Sequence, residues 1–246
     1  MNAKLAARVW AIAKKDIRIY YLKGPVVIFG LLLPLFLYLA YALGRSVAAK
    51  EAIASVTSMT VFFTSTAVAP VIAPWETRSR TFERLISSPV NIAIILIGDA
   101  LASVIFGICI TAAVSILGVL MGVYAVNIPL FALNLALSSI CFSFFGLLLS
   151  SPPADTPADV MMLSALLKFP LVFISGVFMP VSSMPPLVRS VALLSPLTYT
   201  TELFRRSIYA GGVLPVHLSV AALTAYTLIF AVAAIKLHER SAPKRL

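Results

Sequence analysis

A chain of 246 residues that is 61% hydrophobic and only 11% charged, with a mean hydropathy of +1.02, is built for lipid, since soluble domains carry about 25% charged residues. Its length leaves no room for both a polytopic membrane domain and a separate soluble enzyme domain. The net charge of +10 does not point to a nucleic-acid partner, because the basic residues flank apolar runs instead of forming a patch, and so act as topology signals.

The first element is an amphipathic helix within residues 1–24. Lys4, Arg8, Lys15 and Arg18 share one stripe, and Ala6, Val9, Trp10, Ala13, Ile17 and Tyr20 occupy the other side. A basic helix with an aromatic anchor suits the headgroup region of a bilayer. It has no small-residue cleavage site after a compact apolar core, so it is expected to persist in the mature protein.

From residue 25 onward a six-span transmembrane domain is expected. Residues 25–43 are uncharged and of spanning length. Residues 52–73 form the second span, rich in hydroxyls at Ser55, Thr57, Ser58, Thr60, Thr64, Ser65 and Thr66. Such hydroxyls either bond their own preceding carbonyls or face other helices and a wet pathway. The third span is placed after Gly98-Asp99, from about residue 100 to 123, which sets Asp99 at the interface and not at membrane depth. Ser103 with Gly107, and Gly118 with Gly122, are small residues four apart that permit close helix approach. The fourth span covers residues 128–149, and a proline-broken acidic loop leads to the fifth at 160–179. Lys168 within that fifth span either snorkels to the loop end, the simpler reading, or pairs with Asp155, Asp159 or Asp99. Residues 180–215 are broken by Pro180, Pro185, Pro186, Pro196, Gly211 and Gly212 and fit two short re-entrant or interfacial helices. The sixth span is expected at 216–237.

Between the second and third spans lies the one strongly charged segment, residues 75–89. Glu76 and Arg80 are four apart and Glu83 follows three later, while Phe82, Leu85 and Ile86 make a narrow apolar stripe. With Pro70 and Pro74 before it and Pro89 closing it, a short bounded helix is predicted. It is either a solvated connector or a docking element for a partner. Thirteen of the nineteen basic residues fall on the side that holds both termini and this segment, which makes that side cytoplasmic.

Chemistry-bearing constellations are sparse. Cys109 and Cys141 sit in apolar runs without ligand partners and read as buried small side chains, so no metal site is expected. His217 and His238 lie at opposite ends of the last span, and no Ser-His spacing is evident, so no catalytic residues are assigned. An ATP-independent ion-coupled transporter or channel is the competing reading, but it needs ionisable groups deep in its spans, and only Lys168 and Asp99 qualify. None of the 11 glycines precedes a lysine, so the chain has no Walker A loop for ATP.

Two stretches resemble the ABC-2-type permeases, the membrane subunits of a class of ATP-binding-cassette exporters. Residues 80–90, Arg-Thr-Phe-Glu-Arg-Leu-Ile-Ser-Ser-Pro-Val, are similar to that family's cytoplasmic coupling segment, with Arg80 where the pattern normally has glycine. Residues 175–180, Met184-Pro185 and residues 196–205 resemble its outer-hairpin signature, with Glu202 and Arg205 in the acidic and basic positions. The resemblance implies an all-α integral membrane protein of the ABC-2 exporter fold, pairing with a second copy or a close relative in the plasma (inner) membrane. It also implies two separate ATPase subunits that hold ATP and Mg, with no cofactor on this chain. Arg80, Phe82, Glu83, Arg84 and Leu85 would receive the ATPase motion. Thr57, Thr60, Thr64, Phe169 and Phe173 would face a substrate pathway, and Glu202 and Arg205 would fix the outer hairpin. The implied cargo is a drug, a lipid or a lipid-linked glycan moved out of the cytoplasm.

Overall fold

The computed structural model describes residues 2–21, 28, 32–42, 48–78, 91–152 and 156–241, and among these every regular element is helical. The helices are α1 (Asn2–Ile19), α2 (Leu33–Ala42), α3 (Ala49–Ser65), α4 (Ala69–Arg78), α5 (Ile92–Leu120), α6 (Ile128–Leu149), α7 (Pro157–Ile174), α8 (Pro186–Ala192), α9 (Pro196–Tyr209) and α10 (Val216–Ser241). Three of them, α5, α6 and α10, are long and apolar enough to cross a bilayer. Their outward faces carry large apolar side chains such as Ile116, Leu120, Leu228 and Ile229, as expected of surfaces meeting lipid tails. Cys109 is exposed on α5 and not buried as its apolar context implied, while Cys141 is buried on α6.

At the centre stands α3, buried without a break from Ala54 to Ser65 after a partly exposed first turn. It packs on α2, α5, α6 and α9. Two of its hydroxyls bond back within the helix, Ser58 Oγ to the Ala54 carbonyl at 2.7 Å and Thr64 Oγ1 to Thr60 at 2.6 Å, whereas those of Thr57 and Ser65 have no partner. Ser55 Oγ reaches the Val177 carbonyl at 2.7 Å and ties α3 to the turn that follows α7. Phe62 meets Phe142 of α6 edge-on, with ring centres 5.0 Å apart.

Three spans differ from the sequence expectation. The second, expected as one helix over 52–73, breaks at residues 66–68 into α3 and α4. Pro70 has no N–H to give the Thr66 carbonyl, so the helical ladder cannot continue there, whereas a proline at the second position of a new helix costs nothing. From there α4 runs without a stop through Pro74 to Arg78, so Trp75 and Glu76 belong to the end of this helix rather than to the start of a separate one. The rest of the predicted coupling helix, including Arg80, Phe82, Glu83, Arg84 and Leu85, lies outside the described residues. Gly98-Asp99 does not interrupt the third span: α5 is continuous for 29 residues. Gly98 serves packing instead, because a Cβ there would stand 2.6 Å from Ile12 Cγ2 and 3.2 Å from the Val9 carbonyl of α1. The fifth span ends at Ile174, short of the expected 179.

Gly98→Leu is therefore expected to lift α1 off α5, since Ile12 is β-branched and the Val9 carbonyl belongs to the backbone, so neither yields easily. Overpacking of this kind costs about 1–3 kcal/mol, and accelerated proteolysis of the first twenty residues in detergent is the check.

Candidate functional site

Three places collect the polar chemistry of the bundle. The first is the junction of α1, α4 and α5, at the edge of the segment 75–89. Asp16 of α1, Glu76 of α4 and Asp99 of α5 are all buried there. Lys15 Nζ forms an ion pair and hydrogen bond with Glu76 Oε1 and lies 3.0 Å from Asp16 Oδ1. Around this charge, Tyr20 stacks on Trp75 with ring centres 5.3 Å apart and planes 8° from parallel. Tyr21 meets Phe106 edge-on at 4.8 Å, and its hydroxyl lies 2.6 Å from Ser103 Oγ of α5. The amphipathic helix is thus bolted to the last turn of α4 by one ion pair and one stacked aromatic pair, and to α5 through the contacts of Tyr21 with Phe106 and Ser103.

Burial disfavours the Lys15 ammonium, but the carboxylates of Glu76, Asp16 and Asp99 outweigh it and hold its pKa above the usual 10.5. With Glu76 ionised, the pair contributes fully up to pH 10.5 and is lost on the alkaline side as the pH climbs through the raised folded value. Burial also pushes the Glu76 carboxyl above 4.5 in spite of Lys15. The folded state therefore binds that proton more tightly than the unfolded chain does, and this shift works against folding as the pH rises past 4.5.

The second place is a partly open cavity of about 190 Å³ between α2, the α3–α4 break and α7. Phe63, Lys168 and Phe169 are among its walls. Lys168 does not snorkel and pairs with no acid among the described residues. It is buried and donates from Nζ to the Thr66 carbonyl at 2.7 Å, the group that Pro70 leaves without a donor. Of the five expected pathway residues, only Phe169 lines this cavity. Thr57, Thr60 and Thr64 are buried within the bundle, and Phe173 is exposed and stacks on Phe178 at 5.4 Å.

On the side reached by α9, Arg205 is almost fully buried. Its Nη1 lies 3.4 Å from Glu202 Oε1 and its Nη2 3.7 Å from Glu51 Oε1 of α3. Glu202 Oε2 accepts from the backbone N–H of Val213 at 2.5 Å and of Leu214 at 3.3 Å, so this carboxylate closes the turn between α9 and α10. Asn134 Nδ2 of α6 donates to the Thr200 carbonyl at 3.1 Å, and Ser138 Oγ lies 2.9 Å from Thr200 Oγ1. With 14 residues, α9 spans roughly 20 Å, too little to cross a bilayer.

The linear sequence concealed two features. Lys15, Asp16 and Glu76 form a network that was not anticipated, although Asp16 interrupts an apolar stripe of Ile12, Ala13, Ile17 and Tyr20 and thereby signals a partner. Ser150 and His238, 88 positions apart, come within 3.1 Å through Oγ and Nε2. His238 Nδ1 is held by the Ala234 carbonyl at 2.9 Å and Ser150 Oγ also reaches Leu147 at 2.8 Å, so the pair ties together the ends of α6 and α10.

These features define a helical membrane protein whose N-terminal amphipathic helix is locked to the end of α4. The profile of the ABC-2 type transporter family matches residues 7–209, and the chain belongs to that family of membrane transport proteins. It is also similar to the proteins described as "Inner membrane transport permease YadH" of Escherichia coli K12 and of Shigella flexneri, at 26% identity over 152 residues. Those alignments cover 61% of this chain and 59% of each relative, so the match spans about three fifths of the relatives' length.

Proposed function

We propose that the chain is the permease subunit of an ATP-binding-cassette exporter of the inner membrane, with six spans, both termini cytoplasmic and residues 180–215 forming a re-entrant outer hairpin. Two such permeases, identical or closely related, pair with separate ATPase subunits that bind ATP and Mg. The ATPase pushes on the segment containing Arg80, Phe82, Glu83, Arg84 and Leu85. The push passes into α4 and, through Lys15–Glu76 and Tyr20–Trp75, into α1, so the two helices move as one body and open a path for a hydrophobic or amphipathic substrate. The observation that carries this reading is the family match over residues 7–209, which takes in the whole charged segment. The relatives described as inner membrane transport permeases support the location.

A second reading, an ATP-independent ion-coupled carrier or channel, draws on the ionisable Lys168 and Asp99 buried in apolar helices. Co-purification with a co-expressed ATP-binding-cassette ATPase, followed by ATP hydrolysis with and without Glu83→Arg, separates the two. A stable complex whose hydrolysis the variant uncouples supports the exporter. No associated ATPase, together with ion exchange by the chain alone in liposomes, supports the carrier.

A further inference from the structure

The cavity beside the α3–α4 break combines features that a packed helix interface does not need. Its walls are apolar, with Leu33, Phe63, Met161 and Phe169 among them, yet it holds two polar groups of α7 one turn apart, Ser164 and Lys168. One N–H of the Lys168 ammonium satisfies the Thr66 carbonyl. The ammonium can donate three, and no other acceptor meets it among the described residues. Capping one orphan carbonyl calls only for a neutral donor; a full charge in an apolar site is costly unless an opposite charge comes with it.

Ser164 points the same way. Many helix hydroxyls of this bundle bond back to the carbonyl four residues earlier, as Ser58, Thr64, Ser143 and Thr201 do, and of those left without a partner, such as Thr57, Ser65 and Ser139, it is Ser164 that lines this cavity. The Ser164 hydroxyl, although only 3% of that residue is exposed, has no hydrogen-bond partner. A buried donor left unmade in the wall of a cavity, next to an ammonium with spare donors, is an arrangement for receiving an acceptor from outside the chain.

We infer that this cavity binds the acidic head of an amphiphile, a carboxylate or phosphate monoester, with Lys168 as counter-charge, Ser164 as second donor and the apolar body against Phe63 and Phe169. The inference rests on the exporter reading for its role as substrate site, but the binding itself does not depend on an ATPase. About 190 Å³ corresponds to roughly six waters at about 30 Å³ each. That room holds a head group and the first few methylenes, and the remaining chain extends through the open side of the cavity. Single-chain acidic amphiphiles and anionic phospholipids share this chemistry, so both serve as probes.

The test uses the full chain in dodecyl maltoside, titrated with dodecyl phosphate and followed by native mass spectrometry. Lys168→Gln keeps a donor for the Thr66 carbonyl, so the α3–α4 break is preserved while the charge is lost. At least a tenfold loss of dodecyl phosphate binding is expected in this variant, a several-fold loss in Ser164→Ala, and retention in Lys168→Arg. Binding of dodecyltrimethylammonium is expected to be the same in all four proteins. Displacement of dodecyl phosphate by phosphatidylglycerol assigns the site to a lipid head group, and its failure to displace assigns it to a single-chain ligand; either result upholds an anion site. Equal binding of dodecyl phosphate by the native chain and by both Lys168→Gln and Ser164→Ala overturns the inference while leaving the ATPase-coupled reading, tested separately by co-purification, intact.

Discussion

Arg205→Met is expected to cost about 3–5 kcal/mol of stability, the range for removing one partner of a buried ion pair. The reason is what remains: Glu202 stays buried, its Oε2 already committed to the N–H groups of Val213 and Leu214, and its charge loses the guanidinium at 3.4 Å. Glu51 lies at 3.7 Å with 31% of its side chain exposed, so Glu51→Gln is expected to stay within about 1 kcal/mol. Arg205→Lys is not expected to restore the native value, because a single ammonium cannot reach two carboxylates on different helices as a planar fork does. Unfolding of the purified chain in detergent, followed by helical circular dichroism, ranks the three variants. Equal losses for Arg205→Met and Glu51→Gln would place the charge balance elsewhere.

The second large effect is expected at the α1–α4 junction. Lys15→Met leaves Asp16, Glu76 and Asp99 buried together without their ammonium, and about 3 kcal/mol is expected, the lower end for a broken buried pair because 28% of the Lys15 side chain still meets solvent. Adding Glu76→Gln is expected to return part of that loss, since the second substitution removes the carboxylate that the first left unpaired. On the functional side, ATP hydrolysis by the complex is expected to continue in Lys15→Met while transport falls, because the push reaches α4 but no longer carries α1 with it. A strictly additive pair of substitutions would mean that Lys15 and Glu76 do not act through one another.

Much of this architecture is legible in the residues because it follows from periodicity and composition. The stripe of Val9, Ala13, Ile17 and Tyr20 marks the face that α1 buries, and the long uncharged runs mark α5, α6 and α10. What was not legible depends on contacts between distant segments. Gly98 looks like a breaker in the sequence and proves to be the place where α1 crosses α5. Pro70 was read as a boundary before the charged helix, whereas its effect falls four residues earlier, on the Thr66 carbonyl, and only the position of Lys168 reveals what fills that gap. The hydroxyls of α3 leave open in the sequence whether they bond their own backbone or face other helices, and which of them does which is a matter of rotamer and neighbour. Arg205 and Glu202 are three apart on one helix and come together through the family resemblance at the outer hairpin; the reach to Glu51 crosses more than a hundred and fifty positions and has no local signal.

The central claim is that a separate ATPase drives this permease by pressing on residues 75–89 from the cytoplasm. The most direct measurement places a photo-reactive phenylalanine analogue at Phe82 and, in a second protein, at Val213, and irradiates membranes that contain the partner ATPase. Crosslinking to the ATPase from position 82 and not from 213 is the expected result. No ATPase adduct from 82, or an adduct from 213, would contradict both the coupling role and the orientation on which it depends.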